Sequence, residues 1–512
     1  MVKQIEADVV VIGSGITGTS IARELSRYKV ETILVEKAGY ISAGQTKASA
    51  GGIYTESLRM VRSLVVKSAY ASGAPLYDPE SQKLKFIREG FKMWLQLLEE
   101  LDVKYKSEPI LIVAVNKNQL ADLENYVRVG ESIGGRYADM RWVDKETILA
   151  MVPYLTKDVV AGLYSDTQAM QTQPWELAIA MADNAKQNGV RVLLDAEVTG
   201  VSQKNGYQLV ETKRGCIKTR FIVNAAGVHA DVVADMGGAR DWGLVHIRHL
   251  FIVLDRRIGQ YVNFGFTGVG VPGEMEGFAL TPEGNIVVIV VRYTPTQDKY
   301  AFGSHRLEHT EAMRVAKQYL PKVSEKDVIR SYVPLVAFNT RDPEENIVEP
   351  CSTNARFINV AVRMPGLAAA PAIAKYVVEL LGNAGLELTT RSDFNPFRTA
   401  IPRFRDLSDI ERNRLITEDP RYGHVVCRCE TVTEGEIIEA IKRGARTMAG
   451  VKYMTRAGMG RCQGGFCGPR VVGILSRELG IPVTQIDDSG PGSPVVPFES
   501  KELLREVASV GE

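Results

Sequence analysis

Four of the six cysteines fall in one C-terminal stretch: Cys427 and Cys429 as Cys-x-Cys in VVCRCE, then Cys462 and Cys467 as Cys-x4-Cys in GRCQGGFCGPR. Four thiolates so grouped are a ligand set for a metal centre. At the other end, VVVIGSGITG supplies Gly13, Gly15 and Gly18 after an apolar strand, and Glu36 closes the next strand-like run, TILVEK. Glycines there let the backbone approach a pyrophosphate, and the following helix offers it free N–H groups and a positive dipole end. Glu36 is placed to accept hydrogen bonds from ribose hydroxyls. A dinucleotide site and a metal centre in one chain point to redox chemistry.

The thiol spacing bears on which metal. Structural zinc sites favour Cys-x2-4-Cys knuckles that bring two sulfurs to one ion from a tight turn, and Cys-x-Cys fits that less well. A [2Fe-2S] centre spreads four thiolates over two irons, and Gly464 and Gly465 can turn backbone N–H groups toward the sulfurs. His424 stands nearby but alone, against a site with two histidine ligands. The spacing favours [2Fe-2S], with zinc as the alternative and unliganded thiols a third reading.

Both sites need elements to position them. Residues 1 to 37 read as strand, glycine turn, helix, strand, with Ile21, Leu25 and Tyr28 at helical spacing. LKFIREGFKMWLQLLEEL is an amphipathic helix, PILIVAV a strand, and QPWELAIAMADNAKQNGV a helix stopping at Gly189. VRVLLDAEVTGV, YQLVETKRG and CIKTRFIVNAAGVHADVVADMGG form a strand set ending in a second glycine turn at Gly227. VHIRHLFIVLD, ALTPEGNIVVIVV and VIRSYVPLVAF are strand-rich, with a turn at Pro282-Glu283-Gly284-Asn285. FINVAVRMPGLAAAPAIAKYVVELLG returns to strand, Gly366 turn and apolar helix. The order predicts an α/β dinucleotide fold interrupted by an inserted antiparallel sheet.

Residues 391–424, rich in charge and proline, read as a linker with one helix capped by Ser408 and Glu411. The cysteine module spans 425–482, with helices started by a Thr433/Glu436 box and by Pro469 and stopped at Gly444 and Gly480. The tail, 483–512, is an extended Gly/Pro arm expected to pack on another chain or domain, then a short helix, KELLREVA.

With 512 residues, 45% of them hydrophobic, the chain can bury a large core in two or three domains. Sixty-two Lys plus Arg nearly cancel 61 Asp plus Glu, so charge makes no case for nucleic acid or an anionic membrane surface. The N-terminus runs straight into a strand, with no leader-like segment. Arg292 and Arg363 break the densest apolar runs well before a ~20-residue span. Cys216 and Cys351 are isolated, against a secreted disulfide framework. The reading is a soluble, cytoplasmic chain that meets a membrane only through a partner.

The segment CRCETVTEGEI followed by YMTRAGMGRCQGGFCGPR resembles the bacterioferritin-associated-ferredoxin-like [2Fe-2S] module, a helical domain also found at the C-terminus of anaerobic glycerol-3-phosphate dehydrogenase large subunits. Residues 1–390 resemble the D-amino-acid-oxidase-type FAD-dependent oxidoreductases through GSGITG, QTKASAGG, QPWELAIAMADNAKQNGV, IVNAAGVHAD and MPGLAAAPAIA. The resemblance implies a Rossmann-like FAD-binding domain with an inserted antiparallel-sheet substrate domain, then the small helical [2Fe-2S] domain. It assigns Gly13, Gly15, Gly18, Glu36, Lys37, Thr46 and Lys47 to the ADP half of FAD, Val198 to the adenine, and Ala226 and Gly227 to the pyrophosphate. Gly366 and Leu367 fall at a helix start facing the flavin, where a helix N-terminus stabilises negative charge.

The departures concern the substrate. Related glycerol-phosphate enzymes carry an arginine where YVPLVAF has Val336, an acid where VAVRMPGLA has Arg363, and His or Arg where this chain has Ala50 and Tyr54. An anionic substrate would then need Arg363, Arg292 or Arg341 as its anchor. Arg248-His249 resembles a pair seen in proline, sarcosine and dimethylglycine dehydrogenases, with His249 as a candidate base. The leading expectation is an FAD-dependent dehydrogenase of glycerol-3-phosphate or a similar small hydroxy substrate. It would hand electrons through [2Fe-2S] to an electron-accepting flavoprotein or Fe-S subunit in a hetero-oligomer. The alternatives are an amine or amino-acid dehydrogenase subunit, and a non-catalytic electron-transfer flavoprotein subunit.

Overall fold

The apolar run Val9–Ile12 is buried on both sides, as expected for a strand in a covered parallel sheet. Val9 and Val11 enter one core with Leu34 and Val223, while Val10 and Ile12 enter another with Ile33 and Phe357. The computed structural model describes residues 5–54, 81–133, 140–269, 275–498 and 500. In it, parallel strands run in the order Asn354–Ala361, Gly215–Asn224, Ile5–Ile12, Thr32–Val35 and Arg191–Leu193. Ile347–Cys351 extends one edge antiparallel, and the hairpin Val198–Lys204/Tyr207–Thr212 joins Gly215–Asn224. Helices Ile16–Leu25, Gln82–Glu100, Pro174–Gln187 and Gly366–Asn383 cover one face.

The inserted sheet has ten described strands, antiparallel except where Phe266–Gly268 lies parallel to Tyr105–Ala114. Leu244–Leu254 and Ile286–Thr296 form its centre. Odd residues of these strands, Phe251, Val253, Val287, Ile289 and Val291, face Ala50 and the nucleotide-binding part. Even ones, Leu250, Ile252, Val288 and Val290, face helix Arg306–Tyr319. The α/β fold with an antiparallel insert is therefore as the element order predicts.

The cysteine module is a small hairpin, Val425–Cys427/Val432–Thr433, followed by helices Glu434–Lys442, Met448–Thr455 and Gly468–Leu479 around their own core. The Thr433/Glu436 and Ser408/Glu411 capping boxes form. Gly480 ends the last helix at φ 66°, a left-handed conformation that glycine adopts without strain. The arm after it packs within the chain. Asp487 and Asp488 carbonyls accept from Met448 and Ala449, capping a helix start, and Gly39 N donates to Ser489 O at 3.1 Å. The expected helix at KELLREVA lies outside the described residues. Among the described residues no helix is long and apolar enough to cross a membrane.

Residues 391–424 are bound closely to both sides. Asn184 donates to the Asn395 and Phe397 carbonyls, and Arg398 pairs with Asp183 at 3.3 Å. Arg403 pairs with Glu176 and Glu283, Arg456 with Glu283 and Glu430, and Arg405 with Glu430. This chain of three guanidiniums and three carboxylates fastens helix Pro174–Gln187, the insert turn and the cysteine loop together.

Candidate functional site

A cavity of about 570 Å³ opens at the C-terminal ends of the parallel strands, between them and the insert. That is where an open α/β sheet places its ligand, because the strand-to-helix turns present their backbone there. Gly13 has φ 102°, and a Cβ on it would stand 2.5 Å from Ala225 O. Gly18 lies just behind: its Cβ would stand 1.9 Å from Gly13 O, so the helix seats against the turn only because both residues lack side chains. Gly15 N-caps that helix, and Ile16 N donates to Thr46 Oγ1 at 2.9 Å. Glu36 accepts from Ser14 N and Oγ at 2.9 and 2.7 Å and from Ala38 N at 3.0 Å. Each carboxylate oxygen can accept more than one hydrogen bond, so capacity remains for a diol.

Of the residues expected to hold the nucleotide, Gly13, Gly15, Glu36, Lys37, Thr46, Val198, Ala226, Gly227, Gly366 and Leu367 all line this cavity. Gly366 opens helix Gly366–Asn383, and the Leu367 carbonyl is held by Trp94 Nε1 at 2.8 Å. Gly18 supports the turn from behind. Lys47 is not brought here: it lies over the Tyr40 and Tyr453 rings, on the far side of the Gln45–Ala48 turn. A long cavity floored by a glycine turn, a helix start and an acid fits an FAD-sized ligand in its donor chemistry and shape.

At the other end, His249 and Arg363 line the cavity with Tyr54, Phe251 and Val336. A β-bulge between Arg248 and His249 sets the histidine on the odd, inward face, and Arg248 pairs outward with Glu308 at 3.0 Å. Arg363 lies over Phe338, 4.3 Å from its centroid, and pairs with Glu344. Arg292 does not reach the cavity. It sits on the even face of its strand and pairs with Glu276 and, at 2.8 Å, with Glu311 on the covering helix. Arg341 pairs with Glu349 at 2.6 Å, also away from the cavity.

The structure adds lining residues that local sequence signals do not mark: Tyr40, His229, Tyr300, Phe302 and Ser489. Burial and the nearby Lys37 and Lys299 lower His229 to about 4, so its ring is neutral at neutral pH and Nε2 accepts a hydrogen bond from the Lys37 ammonium at 2.8 Å. A neutral acceptor there orients Lys37 without cancelling its charge.

The four C-terminal thiols fall into two pairs. Cys429 Sγ lies 3.8 Å from Cys462 Sγ, and Cys427 is hydrogen-bonded by Cys467. That bond and the Gly458 and Glu430 N–H groups lower Cys427 to about 6 despite its burial. Phe466 and Gly464 N–H groups act on Cys462; Gly465, expected to do so with Gly464, instead donates its N–H to the Cys462 carbonyl at 3.0 Å. Gly460 has no room for a side chain, since a Cβ would stand 2.2 Å from Cys429 Cβ. Among the described residues, no three His, Cys, Asp or Glu side chains gather round one ion position. Two pairs of thiols suit two irons with two ligands each.

Comparison with known proteins accords with both sites. Residues 8–380 match the FAD dependent oxidoreductase family, and residues 425–477 match the BFD-like [2Fe-2S] binding domain. The chain is 34% identical over 505 residues to a glycerol 3-phosphate dehydrogenase of Caloramator mitchellensis, covering 97% of this chain and 100% of that one. It is 22% identical to an anaerobic glycerol-3-phosphate dehydrogenase subunit of Escherichia coli, over 92% of this chain and 88% of that one. Among solved structures, the dithionite-reduced L-alpha-glycerophosphate oxidase of Mycoplasma pneumoniae with FAD bound superposes with a TM-score of 0.66 at 25% identity. It covers 77% of this chain and 98% of its own.

Proposed function

The chain belongs to the FAD dependent oxidoreductase family and carries a BFD-like [2Fe-2S] domain, and on that premise we propose that it oxidises glycerol 3-phosphate, or a small hydroxy substrate of that class, and passes the electrons through the cluster to a partner protein. The observation that carries this reading is the full-length match, cluster module included, to a glycerol 3-phosphate dehydrogenase. Bound FAD supplies a two-electron acceptor and [2Fe-2S] a one-electron relay.

The chain's own residues take the remaining roles. Gly13, Gly15 and the helix start hold the pyrophosphate, Glu36 the ribose and the Gly366 helix start the flavin. His249 accepts the hydroxyl proton as the substrate is oxidised. Arg363 anchors the anionic end: a guanidinium has five donors, and its pairing with Glu344 leaves others for a phosphate. Phe251, Tyr54 and Val336 wall the site against water. The partner is an electron-accepting flavoprotein or Fe-S subunit, and any membrane association runs through it.

Two observations favour a second reading. Val336, which lines the cavity, is apolar where an anionic substrate calls for a cation, and His249 follows Arg248 as in amine dehydrogenases, which points to an amine or amino-acid substrate. Dye reduction with glycerol 3-phosphate, proline and sarcosine separates the two. Turnover with glycerol 3-phosphate alone is expected; turnover with an amine alone would replace the first reading by the second.

Cys462→Ser tests the electron route. Iron content and cluster absorbance are expected to fall while FAD is retained and still bleached by substrate, and dye turnover is lost. Unchanged turnover with the cluster gone would remove it from the route.

A further inference from the structure

A second cavity, of about 130 Å³, lies between the Gln45–Ala48 turn, the inserted sheet and the cluster domain. It shares Ala48, Ser49 and Ala50 with the flavin cavity, so one turn of chain separates the two. Lys47, Arg330 and Lys452, from three separate parts of the fold, line it together with the rings of Trp175, Tyr332 and Tyr453. No carboxylate is among its described lining residues, and none of these three cations is in an ion pair among the described residues. Arg456 also borders it but is committed to Glu283 and Glu430. Trp175 Nε1 is buried without a hydrogen-bond partner.

Burial, and then the charge of Arg330, lower Lys47 and Lys452 to about 8. Glu36 and Asp488 oppose this for Lys47, and Asp488 for Lys452, but neither lines the cavity. Lys47, which also donates to Tyr40 Oη, the half-buried Lys452, Arg330 at the exposed rim and the unsatisfied indole N–H make this space favourable for an anion. A single carboxylate has two oxygens to share among these donors. A tetrahedral dianion has enough to meet donors arriving from several directions.

We infer that this cavity binds a small polyanion of the phosphate or phosphate-ester class, held by Lys47, Lys452 and Arg330, with the Trp175 indole N–H as a neutral donor. Two sources share that chemistry: the phosphoryl end of a substrate reaching past Ala48–Ala50, or a separate phosphate compound seated between flavin and cluster. The first source rests on the glycerol 3-phosphate reading; the second does not.

The test is calorimetric titration of the holoenzyme with inorganic phosphate, for the wild type, Lys452→Met and Arg330→Met. Flavin and cluster spectra check that each variant is intact. Saturable binding is expected, weakened about tenfold or more in both variants, in line with losing a charged hydrogen-bond donor. Arg330 is exposed at the cavity rim, so its replacement does not require repacking a half-buried lysine. If phosphate competes with glycerol 3-phosphate in dye turnover and Arg330→Met raises KM, the site takes the substrate's phosphoryl group. If phosphate binds and KM is unmoved, the ligand is a separate one. Absence of saturable phosphate binding to the wild type, or equal binding by Arg330→Met, would overturn the assignment.

Discussion

Gly18→Ala is expected to lower the flavin content of the purified protein. The added Cβ would sit 1.9 Å from Gly13 O and 3.1 Å from Gly13 C, both backbone atoms that cannot rotate away. Either the helix Ile16–Leu25 lifts off the turn or the turn opens, and both move the N–H groups that receive the pyrophosphate. An overpacking cost of about 1–3 kcal/mol, taken out of cofactor affinity, weakens binding roughly tenfold to a hundredfold. Flavin content of the purified variant measures it. Gly473→Ala is the matched control: this helical glycine has nothing within 4 Å of a built Cβ, so the variant keeps its flavin and gains slightly in stability.

Glu283→Gln is expected to loosen the cluster domain from the flavin-binding part. Glu283 is 2% exposed at its side chain and lies between Arg403, at 2.9 Å, and Arg456, at 3.6 Å, with Gln173 donating to it. Burial alone would raise its pKa, but Arg456 and Arg403 outweigh that and hold it below the usual carboxylate range. Glu176, buried beside it and sharing Arg403, is raised instead. Neutralising Glu283 leaves the buried Arg456 and the half-buried Arg403 undercompensated, a loss of at most about 3–5 kcal/mol by comparison with broken buried pairs. Thermal unfolding of the holoenzyme, with proteolysis across 391–424, reads it out. Because the folded pKa of Glu283 is depressed, its contribution is present above the unfolded carboxylate value near 4.5 and is lost as pH falls through the folded one. Acid should therefore release the cluster domain of the wild type, and Glu283→Gln should flatten that pH dependence. A variant as stable as the wild type would show that the network is not what fastens the domain.

What could be read in the sequence is what depends on near neighbours in the chain. The Gly13–Gly18 turn, Glu36, the paired cysteines and the Thr433/Glu436 and Ser408/Glu411 caps each follow from spacing within a few residues or one βαβ unit. Arg292 was less legible. Placing it requires knowing which face of its strand is odd and that helix Arg306–Tyr319 covers the even one. Lys47 likewise turns away from Thr46 because Tyr40 stacks on Tyr453, 5.4 Å between centroids, across a domain junction. Residues 391–424 read as a charge-rich linker, and sequence alone does not name the partners that Arg398, Arg403 and Arg405 find in Asp183, Glu176 and Glu430. Composition reports that charges are present; only the packed fold says which of them face one another.

The most direct measurement is anaerobic rapid mixing of the holoenzyme with glycerol 3-phosphate, following flavin and cluster absorbance together. The flavin is expected to bleach first, and cluster reduction to follow in the same chain. A flavin left oxidised by glycerol 3-phosphate but bleached by proline or sarcosine, or a cluster that stays oxidised beside a reduced flavin, would contradict this.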